Sequence, residues 1–248
     1  MIRAVLRQAL GQAERWDLVT RNVAKLTQAP RVPRHEIRPL TPAEAGRFIE
    51  AISGYRLEAL YLTALAVGLR HGELLGLTWS DLDLAGATVT IRHALERIDG
   101  RLVLVEPKSA TSHRTLALPA IVVEALREHA VRQRRARLFA GARWRVDPRD
   151  LVFTTTVGTP LDGITVTRRF QALIQGAGLP RQRFHDLRHA CASLLLFQGV
   201  APLVVMEALG HSQISLTMNT YSHVVQALAR DAADRMDSLL QPRGDLAG

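Results

Sequence analysis

The hydrophobic positions of this chain predict helices over most of its length. Between Ile2 and Val19, apolar residues recur every three or four positions with Arg and Gln between them, which is typical of one face of a helix. A strong helix start follows, because Thr41 can cap, Pro42 suits the first helical position and Glu44 completes a capping box. Further helical segments are predicted at 57–69, at 72–77, from 120 to about 139, and from 162 onward, with breaks at 176–180, 199–202 and 210.

The period of the pattern changes from helical to alternating between Ala87 and Leu118. Apolar and polar residues alternate there in three short runs, and an Asp99–Gly100 turn and a polar loop separate these runs, which are 88–92, 102–105 and 115–118. We therefore predict a mainly helical α+β domain that contains a small three-stranded antiparallel sheet.

A segment rich in proline and arginine at 29–39 predicts a domain boundary, because this composition favours an extended linker over a helix. We place the linker at 31–40. Residues 1–30 are expected to be the remaining C-terminal helix of a preceding domain that is mostly absent, since one helix cannot bury its apolar stripe alone. The main domain then spans 41–240, and a flexible tail follows at 241–248.

The charge of the chain favours a polyanionic partner. Lys and Arg total 32 against 23 Asp and Glu, which gives a formal net charge of +9. An acidic substrate or an anionic membrane surface would also fit this sign. Lys25 and Lys108 are the only lysines, so nearly all of the positive charge is arginine. Five arginines of the helix after Pro119 form either a solvated face or a phosphate-contacting face: Arg127, Arg132, Arg134, Arg135 and Arg137.

The cysteine content and the first residues predict a cytoplasmic protein. Cys191 is the single cysteine, which excludes a disulfide within the chain. The first residues show no charged stretch followed by an apolar signal segment. The longest apolar stretch, 60–69, is shorter than the about 20 residues that a bilayer requires, and it indicates a buried core helix.

Several polar residues near predicted helix breaks together meet the needs of phosphodiester cleavage without a metal, although each alone has an ordinary structural explanation. Two guanidinium groups can bind the non-bridging phosphate oxygens and stay protonated, and a phenol can attack the phosphorus to form a phosphotyrosine ester. The departing 5′ oxygen needs a proton, which lysine can donate and arginine cannot. The set comprises Arg70, Glu73, Lys108, His185, Arg188, His211 and Tyr221.

Four segments of the chain resemble the signature boxes of the tyrosine recombinases, the phage integrase family. Residues 64–83, which read ALAVGLRHGELLGLTWSDLD, resemble the first arginine box, and residues 107–119 are similar to the lysine segment of a β-hairpin. The run His-Asp-Leu-Arg within 184–193 resembles the second box. Leu-Gly-His-Ser at 209–212, followed by Tyr221, resembles the terminal box. The boxes occur in the family's order and cover nearly all of residues 41–225.

The resemblance implies a role for each candidate in binding the phosphate. Arg70 and Arg188 would clamp the scissile phosphate, and His211 would donate a further hydrogen bond to it. Glu73 would orient the arginine or histidine cluster. Four more arginines are expected to contact DNA, namely Arg114, Arg168, Arg169 and Arg183.

The resemblance also implies the chemical steps and the partners. Tyr221 would be the nucleophile, His185 would assist its proton transfer, and Lys108 would be the general acid for the 5′ hydroxyl. The family's fold is that of DNA breaking-rejoining enzymes, and its members use neither a metal nor a nucleotide cofactor. We expect double-stranded DNA as the partner, a homotetramer on DNA, accessory DNA-bending or directionality factors, no membrane, and a location at the nucleoid.

Two terminal segments acquire a meaning from the same resemblance. Residues 1–30 would correspond to the last helix of the family's core-binding, SAM-like domain. Residues 227–240 would be either a helix that docks on a neighbouring protomer or a cap on the same molecule.

Three alternatives stay open at this stage. His185 and His189 are spaced as in a zinc hydrolase motif, although Asp186 replaces the usual glutamate. Residues 201–221 have the pattern of a helix-turn-helix in a DNA-binding module without chemistry. A type IB topoisomerase would share the tyrosine chemistry but relax supercoils as a monomer.

Overall fold

A computed structural model of the protein describes residues 2–27, 38–106, 113–210 and 236. The chain divides into two compact units, Met1–Glu36 and Ile37–Gly248. Three predicted site residues, Lys108, His211 and Tyr221, lie outside the described residues. The same holds for most of the predicted linker, for the helix at 227–240 apart from Met236, and for the tail at 241–248.

The first unit consists of α1 (Ile2–Arg15) and the short α2 (Val23–Leu26). The buried side chain of Asn22 joins the two helices. Its Nδ2 donates to the carbonyl of Arg7 (2.7 Å), and its Oδ1 accepts from the backbone N–H of Ala24 (3.1 Å), which caps α2. The predicted first helix is confirmed, although it ends at Arg15. Its apolar side chains at positions 2, 5 and 6 are exposed.

Helices form most of the second unit. α3 begins as the sequence predicts, because the Thr41 hydroxyl accepts from the backbone N–H of Glu44 (3.2 Å) and the Glu44 carboxylate accepts from that of Thr41 (2.9 Å). α4 is buried on nearly all sides and packs against α6 and α8, as an apolar helix must. The helices are α3 (Pro42–Ile52), α4 (Glu58–Val67), α5 (His71–Leu75), α6 (Ala120–Ala140), α7 (Gly163–Gly176), α8 (Asp186–Phe197) and α9 (Pro202–Leu209).

The alternating region forms two small antiparallel sheets, and the pairing differs from the predicted one. β1 (Leu82–Asp83), β2 (Thr88–Ile91) and β5 (Arg114–Ala117) form a sheet in the order β1-β2-β5. β3 (Ala94–Ile98) and β4 (Arg101–Val105) form a separate hairpin.

The turn explains why the predicted strand at 102–105 does not join the larger sheet. Asp99 and Gly100 both have positive φ (49° and 78°), as a tight two-residue hairpin turn requires. Such a turn places Ile98 opposite Arg101, so β4 must pair with the strand directly before it. The mainly helical α+β fold with small antiparallel sheets is confirmed.

The core of the second unit is built around packed aromatic rings. Phe170 of α7 lies edge-on to Phe48 of α3 (5.7 Å between ring centroids) and to Phe184 (5.5 Å), which lies just before α8. The buried Tyr61 of α4 donates from its hydroxyl to the carbonyl of Val166 (3.2 Å). A smaller apolar cluster between α8 and α9 includes Cys191, whose thiol has its pKa raised to about 12 by burial. In the described part of the chain, no helix is both long enough and apolar enough to cross a membrane.

Candidate active site

Arg70 lies at the N-terminus of α5, directly after the turn that ends α4. Gly68 makes this turn in the left-handed conformation (φ +68°), and a Cβ at this position would lie 2.5 Å from Leu209 Cδ2. Arg70 donates from Nη2 to the carbonyl of Gly210 (2.8 Å) and from Nη1 to the Glu73 carboxylate (2.7 Å). Its side chain is still 41% exposed.

Glu73 is a buried carboxylate shared by two arginines. It accepts from the side chain and the backbone N–H of Arg70, and from Nη2 of Arg114 (2.9 Å). Its side chain is 3% exposed. Burial alone would raise the pKa of Glu73, but the hydrogen bonds and charge of Arg114, with the bonds from Arg70, outweigh it and lower the pKa. Glu73 is therefore ionised at neutral pH.

Arg188 lies in the first turn of α8 and is almost completely buried, with 3% exposure. It donates from Nη1 to the carbonyl of Gly68 (2.7 Å) and from Nη2 to that of Leu209. Burial lowers the pKa of Arg188 to about 10, with a further contribution from the charge of Arg70. The guanidinium still carries its charge at neutral pH, and the protein holds it on two backbone carbonyls.

Three arginines from three different elements converge on the C-terminus of α9. Arg114 Nε donates to the carbonyl of Ala208 (3.2 Å). Arg188 Nη2 donates to the next carbonyl, that of Leu209, and Arg70 Nη2 donates to that of Gly210. The last carbonyls of a helix lack partners within the helix and carry its negative dipole end, which suits cations. The helix end therefore gathers positive charge at one place, immediately before residue 211.

His185 precedes α8 beside this cluster. Loss of hydration lowers the pKa of its imidazole, and the charge of Arg188 lowers it further. The ring of His189 lies perpendicular to that of His185, with centroids 5.2 Å apart. A neutral His185 at neutral pH can accept a proton.

The structure brings together Arg70, Glu73, Arg188 and His185, as the resemblance implies.

The other predicted arginines lie mainly on the surface. Of the four arginines expected to contact DNA, three are exposed: Arg168 and Arg169 on α7, and Arg183 before α8. On the arginine face of α6, Arg132 pairs with Glu128 (3.3 Å) and Glu58 (3.7 Å). Arg127 lies 3.8 Å from Glu124, and Arg134, Arg135 and Arg137 are exposed.

Arg114, the fourth arginine expected to contact DNA, has a largely buried side chain. Its side chain is 9% exposed and is bound to Glu73 and to the carbonyl of Ala208. The alternation of β5 explains the burial, because Arg114 shares a face with Leu116 while Thr115 and Ala117 point to solvent. This parity is visible in the sequence and could have identified Arg114 as inward-facing. No comparable signal in the sequence indicates that Gly68 and residues 208–210 supply carbonyl acceptors to these arginines.

The zinc alternative depends on a third ligand near His185 and His189. Within residues 2–27, 38–106 and 113–210, no group of three or more His, Cys, Asp or Glu side chains is placed to hold a metal ion. The helix-turn-helix alternative depends on residues after Gly210, which lie outside the described part of the chain.

Comparison with protein families and curated proteins gives consistent matches. The protein-family model described as "Phage integrase family" matches residues 38–227. A "Tyrosine recombinase XerC-like" protein from Caldanaerobacter subterraneus subsp. tengcongensis is 34% identical over 214 residues, covering 82% of this chain and 55% of that protein. An integrase from Streptomyces ambofaciens is 32% identical over 253 residues, covering 97% of this chain and 63% of that protein. The chain thus spans a little over half of the length of these relatives.

Solved structures share the fold. The Tn1549 transposon integrase in complex with transposon right end DNA superposes with a TM-score of 0.75 at 24% identity, covering 94% of this chain and 77% of that chain. The XerA recombinase superposes with a TM-score of 0.63, also at 24% identity, covering 89% of this chain and 72% of that chain.

Proposed function

The chain belongs to the phage integrase family, and from this premise we propose that it is a site-specific DNA recombinase. It cleaves and rejoins DNA strands through a 3′-phosphotyrosine intermediate, without a metal. The observation that carries the proposal is the convergence of Arg70 and Arg188 on consecutive carbonyls, directly before residue 211. The segment after this point contains His211 and Tyr221.

The charge of the cluster suits a phosphodiester in its transition state. Glu73 offsets one positive charge among Arg70, Arg114 and Arg188, so the cluster keeps an excess of positive charge. The attacked phosphate concentrates negative charge on its two non-bridging oxygens, and fixed donors stabilise that charge without reorganising during the reaction. The partly exposed Arg70 offers the open edge through which a phosphate reaches the cluster.

The covalent step exchanges one phosphate ester for another. The Tyr221 phenol oxygen forms a bond to phosphorus as the bond to the 5′ oxygen breaks, and His185 accepts the phenolic proton. Lys108 donates a proton to the 5′ oxygen as it leaves. His211 donates a hydrogen bond to the phosphate. Rejoining follows the same steps in reverse, with a 5′ hydroxyl as the nucleophile.

The proposal extends to the partners and to the arrangement of the chain. Double-stranded DNA is the substrate, and the exposed Arg168, Arg169 and Arg183 bind its phosphates. A homotetramer assembles on the DNA, with accessory bending or directionality factors, at the nucleoid. Residues 41–240 form the catalytic domain, and residues 1–30 form the last helix of a core-binding domain.

Trapping the covalent intermediate tests the proposed function. The full chain is incubated with a nicked suicide DNA that carries a candidate attachment site, and protein–DNA adducts are resolved on denaturing gels. We expect an adduct with the unchanged protein and none with Tyr221→Phe. A folded protein that binds this DNA and forms equal adduct without the tyrosine hydroxyl would exclude the assigned nucleophile.

A modified substrate tests the assigned acid. Lys108→Ala should block cleavage of ordinary DNA, whereas DNA with sulfur at the 5′ bridging position should be cleaved again, because a thiolate leaves without a proton. Absence of this rescue would reassign Lys108 to DNA binding.

A further assay separates a recombinase from a topoisomerase. A recombinase exchanges strands only between paired sites and does not relax a supercoiled plasmid that lacks these sites.

A further inference from the structure

The inward-facing arginine of β5 links three parts of the site. Arg114 donates from Nη2 and Nη1 to the two carboxylate oxygens of Glu73 (2.9 and 3.3 Å), and from Nε to the carbonyl of Ala208 (3.2 Å). Glu73 in turn binds both the backbone N–H and the side chain of Arg70. Arg114 is therefore linked to Arg70 through a single residue, Glu73, and it contacts the end of α9 directly.

We propose that Arg114 is a positioning residue that acts through Glu73 on Arg70, and that it is not one of the arginines that contact DNA. The inference rests on the proposed function, because it assigns Arg70 to the scissile phosphate. Arg114 touches no reacting atom in this proposal. It fixes the group that does.

Arg114 compensates the charge of the buried Glu73 carboxylate. With only Arg70 as a partner, the Glu73 carboxylate would neutralise the charge that Arg70 must present to a phosphate. The second partner changes this balance, since the Arg114 side chain is 9% exposed whereas that of Arg70 is 41% exposed. The charge of Glu73 is thereby compensated from inside the protein, and Arg70 keeps its charge for a ligand on its solvent side.

Arg114 also fixes the direction of the Arg70 side chain. A guanidinium that must bind phosphate oxygens needs a fixed orientation, and Glu73 can fix that of Arg70 only if the carboxylate is itself held. Two donors of Arg114 hold both Glu73 oxygens, one of which binds Arg70 Nη1. A rotated Glu73 would turn Arg70 with it.

Burial separates Arg114 from the exposed arginines. The end of α9 covers it so closely that a Cβ on Gly210 would lie 3.2 Å from its Cζ. A DNA phosphate would have to displace both Glu73 and the Ala208 carbonyl to reach its donors. Arg183, in contrast, is exposed and serves as the matched comparison.

The first test asks whether Arg114 acts through Glu73. In single-turnover cleavage at saturating DNA, we expect Arg114→Gln to lower the rate about tenfold to a hundredfold, the range of a misplaced reacting group. Arg114→Lys should recover part of the rate because it restores the charge but not the bidentate contact. The double variant with Glu73→Gln should be no slower than Glu73→Gln alone, whereas additive losses would overturn the proposal.

A control variant removes an arginine from another buried carboxylate, outside the site. Arg92 binds the buried Asp81 (2.8 Å), just as Arg114 binds a buried carboxylate. Arg92→Gln should lower the midpoint of thermal unfolding without lowering the cleavage rate at saturating DNA. An equal loss of cleavage in Arg92→Gln would mean that any broken ion pair has this effect, and would overturn a specific role for Arg114.

The second test separates positioning from DNA contact and needs no cleavage. The slope of log affinity against log salt should fall by about 0.9 for Arg183→Gln, the contribution of one lost phosphate contact, and should stay unchanged for Arg114→Gln. An equal fall in Arg114→Gln would make Arg114 a DNA-contacting residue and refute the proposal.

The third test follows the Glu73 carboxyl by NMR titration of the full chain. Among the residues that the structure describes, the charged groups that face Glu73 are Arg70, Arg114 and Arg188. Removal of Arg114 should raise the pKa of Glu73, because the hydrogen bonds and charge of Arg114 are what chiefly lower it. An unchanged Glu73 pKa would contradict the proposal. Because this titration and the salt slope are independent of catalysis, a missing Tyr221 adduct would count against the proposed function alone.

Discussion

Two sets of arginines in this molecule have the same chemistry and opposite surroundings. Arg188 and Arg114 are buried and donate to backbone carbonyls and a carboxylate. Arg168 and Arg183 are exposed on α7 and before α8. A buried guanidinium is fixed and desolvated, which suits it to stabilising charge at one point. An exposed guanidinium is mobile and hydrated, so it contributes to affinity for a polyanion in a salt-dependent way.

The difference arises from the acceptors that the fold provides. The C-terminal carbonyls of α9 and the left-handed turn at Gly68 supply acceptors at the centre of the second unit. No such acceptor is needed where water can solvate the side chain. The two sets of arginines therefore differ because of where the fold provides acceptors, and not because of the residue type.

Replacing a buried arginine should have the largest effect. We expect Arg188→Gln to lower the single-turnover cleavage rate by about a hundredfold to a thousandfold, because a preorganised donor is lost at the developing charge. DNA affinity should change only a few-fold. The rate is measured by adduct formation at saturating DNA and the affinity by titration of labelled DNA.

The exposed Arg183, five positions earlier in the chain, supplies the contrast for this prediction. Arg183→Gln should lower the affinity more than the rate at saturating DNA. If Arg188→Gln lowered rate and affinity equally, Arg188 would be a binding residue and the comparison between the two sets would fail.

The sequence allowed some of this site to be predicted and left the rest out of reach. The helices follow from local signals such as the capping box at Thr41, and the candidates Arg70, Glu73, His185 and Arg188 follow from spaced motifs. The prediction that 102–105 joins the three-stranded sheet was wrong, because the two-residue turn at Asp99 pairs this strand with the one directly before it. The α9 carbonyls escaped prediction because every residue has a carbonyl, and only the packing of α8 against α9 selects these three.

The glycine that supplies an acceptor to Arg188 provides the next prediction. We expect Gly68→Ala to lower the free energy of unfolding by about 2–4 kcal/mol, since it combines a left-handed alanine with a clash. A Cβ there would lie 2.5 Å from Leu209 Cδ2 and 3.1 Å from Cys191 Sγ. Gly54 is the control, because it has a similar φ (+71°) and an added Cβ would meet nothing within 4 Å.

Gly54→Ala should therefore lower the free energy of unfolding only by the cost of the left-handed alanine conformation, about 1–2 kcal/mol. Urea unfolding of both variants measures the difference. Equal losses would show that the close packing of α4, α8 and α9 around the buried arginine contributes little to stability.

Two adjacent exposed arginines on α7 have different surroundings. Arg168 lines an open groove with His71 and Gly72, next to Arg70, whereas Arg169 lies near Arg56. Neighbouring helical positions point about 100° apart, so one DNA surface does not reach both equally. We expect Arg168→Gln to lower the salt slope of DNA binding by about 0.9, and Arg169→Gln to lower it less. A larger fall for Arg169→Gln would place the DNA on the opposite side of α7.

The smallest expected effect is on the titration of His185, which lies near both sets of arginines. Burial is the main cause of its lowered pKa, the charge of Arg188 is the second, and that of the exposed Arg183 is the weakest of those acting on it. Removing either charge should raise the pKa of His185 towards its ordinary value, and Arg188→Gln should raise it more than Arg183→Gln. Two-dimensional NMR of the imidazole signals across pH 4 to 8 measures both shifts.

This ordering tests the physical basis of the comparison. Charges interact more strongly through the protein interior than through solvent, which screens an exposed guanidinium. A lowered His185 pKa keeps the imidazole neutral to more acid pH, so cleavage by the unchanged protein should persist below pH 6.5, and the acid limb of Arg188→Gln should lie at higher pH. If Arg183→Gln shifted His185 as much as Arg188→Gln did, burial would not distinguish the two arginines electrostatically, and their different roles would have to arise from geometry alone.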